Sequence, residues 1–187
     1  VFILLGIGAG IVIGRILGGS LDGLRALSFS LVPLALIGLA LQLVLFSGPV
    51  ADQVSEPVGR IVYATSTAAV FVALLANLRI VGVPVIALGA GLNLLAIVAN
   101  GGVMPADPAA VASAGLVYDG GFSNSAIVPD PVLAPITDIF AVPASWPFAN
   151  VFSIGDVLIS IGLAWTIAAA MRRRPASPPD PPQVAHT

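Results

Sequence analysis

Apolar residues fall into five long runs, at about residues 2–18, 26–46, 58–78, 81–100 and 151–171, and polar residues collect between them. Each run approaches the roughly 20 apolar residues that carry a helix across about 30 Å of hydrocarbon. None breaks into the short alternating segments of a closed barrel, so all five read as helices. The expected fold is therefore all-α, a transmembrane bundle of five helices. Pro84 falls in the first turn of the fourth helix, where its missing N–H costs little. Pro33 lies inside the second run and predicts a kink that frees a carbonyl near Phe29. The Asn77-Leu78-Arg79 turn leaves the third and fourth helices as a tight hairpin.

Residues 101–150 form a long connection without Lys or Arg, carrying Asp107, Asp119, Asp130 and Asp138 among seven prolines. It stays apolar around Ile139, Phe140, Val142, Trp146 and Phe148, which predicts an ordered cap rather than a loose loop. Asp107-Pro108 reads as the N-cap and first residue of a short helix over Ala109 to Leu116. Pro135 to Val142 reads as a second short helix at the membrane interface, with Trp146 as its anchor. The Pro-rich segment 172–187 has no apolar periodicity and is expected to be a disordered cytoplasmic tail.

Arg15, Arg25, Arg79 and Arg172 to Arg174 belong to one side of the five spans and Arg60 alone to the other. The positive-inside rule then puts the N-terminus outside and the C-terminus in the cytoplasm. The first run has no basic residues before it, so it reads as a retained helix rather than a signal peptide.

Composition narrows the chemistry. Of 187 residues, 58% are hydrophobic and 9% charged, far below the quarter charged usual in soluble domains. A net charge of −2 offers no basic face to nucleic acid. There is no Cys, and the single His, His186, lies in the tail; disulfides, thiol catalysis, buried His ligation and His-based acid–base chemistry are excluded. No metal site and no cofactor is expected, nor is enzymatic activity.

Two patterns stand out. Gly6, Gly10, Gly14 and Gly18 recur every four residues along the first helix, a small-residue seam that lets another backbone come close. Its partner is either a second or fifth helix of the same chain or another subunit; Gly82, Gly89, Gly91, Gly155 and Gly162 are candidate mates. The second pattern is a set of polar residues in the spans. Arg60, Tyr63 and Thr67 share a face of the third helix, Asn93 and Asn100 lie seven apart on the fourth, and Ser153, Asp156 and Ser160 share a face of the fifth. Asp156 is the one carboxylate inside a span, roughly 8–10 Å deep by helical rise, and Arg60 is its natural ion-pair partner. The set forms either an outward-facing polar pocket or an interhelical network that fixes helix order.

The run from Asn93 to Pro105, ending Asn100-Gly101-Gly102-Val103-Met104-Pro105, resembles the Asn-Gly-Gly-x-Met-Pro signature of an uncharacterised family of polytopic bacterial membrane proteins. Leu133 to Phe140 and Asn150 to Val157 are similar to the same family. The resemblance implies a bacterial inner-membrane protein and groups the Asn-Gly-Gly turn, Thr137-Asp138 and Asp156 into one constellation, but it brings no activity. The leading expectation is a non-catalytic accessory or scaffolding subunit of a larger bacterial membrane complex, of the respiratory or photosynthetic kind. It would meet partner subunits, or a second copy, through the first helix. The alternative is a small-molecule binding or transport protein with its pocket around Arg60, Asn93 and Asp156.

Overall fold

The computed structural model describes residues 2–117 and 122–173. The chain start at Val1, Asp119 and the tail from 174 onward, including Arg174 and His186, lie outside the described residues. The fold is mostly helical, with helices α1 (Phe2–Ile16), α2 (Val32–Leu45), α3 (Gly48–Ala51), α4 (Glu56–Leu75), α5 (Val83–Ala99), α6 (Pro108–Ala114) and α7 (Ile154–Met171). Four short strands complete it: β1 (Met104–Pro105), β2 (Ser125–Ala126), β3 (Phe140–Val142) and β4 (Asn150–Phe152). α4 and α7 are long and apolar enough to cross a membrane, whereas α1, α2 and α5 are shorter apolar helices.

Proline explains several boundaries. α2, α3, α4, α5 and α6 each carry Pro in the first two positions, where a fixed φ suits the helix and no N–H is needed. Pro33 is one of these. α2 begins at Val32, so the expected kink does not form: Ala26 closes a 3-10 turn, Leu21–Ala26, and residues 27–31 of the apolar run are not helical. Asp107 caps α6 as expected, accepting from the N–H groups of Ala109 and Ala110 at 2.9 Å. The second interfacial helix is not formed. Its prolines allow only a 3-10 turn at Ala134–Ile136, and the β-branched and aromatic residues after it pair as β3 against β4.

The long helices lie in a row, α1–α7–α5–α4–α2, with α7 between α1 and α5. Glycine sets the close contacts. A Cβ on Gly6 would lie 2.7 Å from the Ser160 carbonyl oxygen, one on Gly10 2.8 Å from Ile167 Cβ, and one on Gly14 2.6 Å from Met171 Sδ. Gly18 is not in this seam; it has a positive φ and open space around it, while Gly19 and Gly23 continue the contact under the end of α7. The other flank of α7 uses Gly155 and Gly162 against Gly89 and Gly82 of the α5 hairpin, and Gly91 faces Phe71 of α4. Thus the glycines proposed as mates of α1 largely mate with each other.

Two asparagines secure the chain just beyond the ends of α4 and α5. Asn77, just beyond α4, accepts from the N–H of Ser30 and donates to its C=O, both at 2.8 Å. Asn100, just beyond α5, does the same for Val132 at 2.8 and 2.9 Å. In both cases the next residue is a leucine in the left-handed region, Leu31 (φ 57°) and Leu133 (φ 60°), that starts a helical turn with Pro two residues on. Gly10→Leu should lower stability by about 1–3 kcal/mol through overpacking. Gly8→Leu, whose Cβ meets nothing within 4 Å, should change it by less than about 0.5 kcal/mol. Thermal midpoints of both variants in one detergent check this.

Candidate functional site

The start of α7 holds the first part of the site. Ser153 is its N-cap and Asp156 its third residue, and they form a capping box: Ser153 Oγ accepts from the Asp156 N–H at 3.1 Å, and Asp156 Oδ2 accepts from the Ser153 N–H at 3.0 Å. The spacing Ser-x-x-Asp is the sequence signal for such a start. It places Asp156 in the first turn, at the end of the helix, rather than 8–10 Å inside it. Asn93, on α5, closes the group by donating to Asp156 Oδ1 at 2.9 Å and accepting from Ser153 Oγ at 2.8 Å.

The cap supplies the second part. Gly101 and Gly102 take positive φ values of 71° and 92° and turn the chain out of α5 into β1, which pairs in parallel with β2. The Asp138 N–H donates to the Pro105 carbonyl and its own carbonyl accepts from the Asp107 N–H, each at 3.0 Å. These bonds hold Asp138 in the wall of the cap, 5% exposed, where Ser125 Oγ donates to its Oδ2 at 2.8 Å. Burial raises the Asp138 carboxyl to about pH 7; the Ser125 bond opposes this and the charge of Asp156 adds to it.

Asp138 and Asp156 line one cavity of about 340 Å³ between cap and helices, with Asn124, Ser125 and Asn150. Phe2, Ile3, Leu116 and Val151 form its apolar wall. The volume lies within the range of small-ligand clefts. Phe152 packs between Phe2 of that wall and Phe140, at 4.3 and 5.4 Å between ring centroids.

The other expected residues divide. Arg60 does not pair with Asp156, because α5 stands between α4 and α7 and Asn93 reaches the carboxylate instead. Arg60 meets Glu56 one turn away at 3.4 Å and packs beneath Gly102. Tyr63 is buried against Phe46, 5.2 Å between centroids, and Thr67 accepts from Gln42 of α2 at 3.1 Å. Ser160 donates to the Phe2 carbonyl at 2.8 Å, tying α1 to α7. Asn100 holds the cap. Only Asn93, Ser153 and Asp156 of the expected set meet, while Asn124, Ser125 and Asn150 were not singled out from sequence, since only the folded cap brings them to Asp156. No group of three or more Asp, Glu, His or Cys suited to a metal occurs among the described residues.

Residues 26–168 match a family described as one of unknown function, DUF5317, and the chain belongs to that family. No curated protein and no solved structure matches it.

The raised Asp138 carboxyl sets a pH dependence. With a folded value near 7 against an ordinary 3.8, the folded protein binds the extra proton between those limits. Stability therefore falls as pH rises from about 4 to 7, by at most about 1.4 kcal/mol per pH unit, and levels off above. Asp138→Asn, which mimics the protonated acid, should flatten the profile and raise the melting temperature at pH 8. Melting curves of both proteins between pH 5 and 8 test this.

Proposed function

We propose that this chain is a five-span protein of the bacterial cytoplasmic membrane, N-terminus outside and C-terminus inside, which binds a compact cationic ligand in the outward cavity between cap and helices. The observation that carries the ligand reading is the pairing of Asp138 and Asp156 in one cavity that no Arg, Lys or His lines among the described residues. An anionic ligand would meet uncompensated repulsion there, and a small amine or monovalent cation would meet attraction and amide oxygens. The membrane reading is supported by large apolar side chains turned outward on the shorter helices as well, among them Leu4 at 71% and Leu43 at 77% exposure. α1 and α2, of 15 and 14 residues, rise only about 21–23 Å. Flanking apolar residues such as Leu17, Phe29 and Phe46 extend their reach, with local thinning making up the rest.

A second reading keeps the expected accessory or scaffolding subunit of a larger complex, respiratory or photosynthetic in kind. The open row of helices favours it, since α1 and α2 stand at the two ends with apolar faces outward. The glycine seam of α1 faces α7, so a partner subunit or second copy would use the remaining surface of that helix.

The chain has no Cys, which makes single-cysteine labelling free of background. Asp130→Cys should react with an impermeant maleimide in intact cells and Asp22→Cys only after permeabilisation; the reverse pattern overturns the topology. For the ligand, methylammonium, guanidinium, Na⁺ and K⁺ are tested by thermal shift on purified protein at pH 8. At least one should give a saturable rise that Asp138→Asn/Asp156→Asn abolishes. No response to any of them, together with a large stoichiometric assembly on a native gel, would favour the subunit reading.

A further inference from the structure

Beside the contact of α1 with α7 runs a second, larger groove of about 720 Å³. Its lining runs from Phe2 on α1 to Leu17 just beyond that helix and from Val157 to Ala169 on α7, apolar apart from Ser160, whose hydroxyl is taken by the Phe2 carbonyl, and it ends at Arg172. Phe2 to Leu17 and Val157 to Arg172 each give it a length of about 22 Å at helical rise, longer than one leaflet's half of a ~30 Å core. Small residues, Ala9, Ala164 and Ala168, open the groove, and Ile13, Leu17 and Trp165 wall it. Arg172 is exposed at that end.

We infer that this groove is a binding site for an anionic phospholipid, with one acyl chain along α1 and α7 and the phosphate at the Arg172 guanidinium. An apolar channel with a single cation at its end matches the polarity of a lipid: hydrocarbon for most of its length, then an anionic head. Basic sites at the cytoplasmic ends of membrane helices bind such head groups, and guanidinium suits phosphate geometry. A second copy fits less well. A two-fold contact through this face sets each Arg172 near its symmetry mate, and like charges repel most where water is excluded. The site is separate from the cavity of Asp138 and Asp156. It rests on the membrane reading, which cysteine labelling tests by itself.

The test uses Trp165, isolated by Trp146→Phe, since the chain has two Trp. Protein is reconstituted into phosphatidylcholine vesicles titrated with chain-brominated phosphatidylglycerol or chain-brominated phosphatidylcholine. Brominated phosphatidylglycerol should reach half-maximal quenching at a mole fraction at least threefold lower. Arg172→Gln should erase that preference and keep the maximal quenching, whereas Arg173→Gln, outside the groove, should retain it. Equal quenching by the two lipids in the parent protein overturns the inference, as does a preference that survives Arg172→Gln. Protection of Trp165 from both lipids, with a cross-linked dimer, would assign the groove to a second copy and overturn it too.

Discussion

The whole arrangement depends on how closely α7 approaches its two neighbours. It is held between α1 and α5 at distances that leave no room for a Cβ at Gly6, Gly10 and Gly14 on one side or at Gly89 on the other. In the proposed bilayer setting such contact would gain little from the hydrophobic effect, because lipid tails are as apolar as the side chains they replace. What it gains is dispersion between backbones and a fixed register, since a shift of one residue would drive side chains into the facing helix. The same register decides where the first turn of α7 stands relative to Asn93. The capping box and the bond from α5 are thus products of glycine packing farther along the helix.

From that turn the cap is built outward. Ser153 satisfies the start of α7 and Asn93 satisfies Ser153 and Asp156 together, so the group costs little in unmatched polarity even though Ser153 is fully buried. The cap reaches the same place by a separate path, through Gly101, Gly102 and the short β1–β2 pairing that fixes Asp138. Cavity and bundle therefore share residues at Asp156 but not at Asp138. A change of charge at Asp138 acts on Asp156 through space, without altering the helix start.

Much of this organisation was legible in the sequence, and the failures have physical causes. The recurrence of glycine on α1 marked a close contact, and the partner within the chain was one of the two alternatives considered. Gly18 fell out of the seam because α1 ends at Ile16 and Gly18 takes a positive φ in the turn beyond it, and that turn brought in Gly19 and Gly23. Arg60 and Asp156 were matched by charge and depth, but pairing requires neighbouring helices, and helix order follows from packing that charge does not reveal. The depth assigned to Asp156 was wrong because hydropathy extended α7 back through β4, although Ser153-x-x-Asp156 marks the helix start. Pro33 was misplaced for the same reason: apolar residues ran past the helix boundary. The constellation of Thr137-Asp138 and Asp156 came from resemblance alone, and Asn124, Ser125 and Asn150 carry no pattern that could have added them.

The use of polar groups separates the cavity from the scaffold. Ser66, Thr137 and Thr166 are buried and each donates to a carbonyl three or four residues back. Asn77 bonds only main-chain groups, two of them on Ser30. That clamp, and its counterpart at Asn100, offsets the roughly 1–2 kcal/mol that a left-handed leucine costs with hydrogen bonds worth about 1 kcal/mol each. These residues have a complete structural explanation, because each removes an unmatched backbone group or holds a strained turn. Ser125, Asp138 and Ser153 are the remaining buried polar residues among those described, and they bond side chains at or beside the cavity. Asp138 is the exception that matters. Its carboxyl meets one hydroxyl, and it sits where burial and a second carboxylate both raise the cost of its charge. A cap built only for stability would gain from an amide at this position; a carboxyl there is what the proposed cationic ligand requires, since such a ligand would enter the cavity and answer its charge.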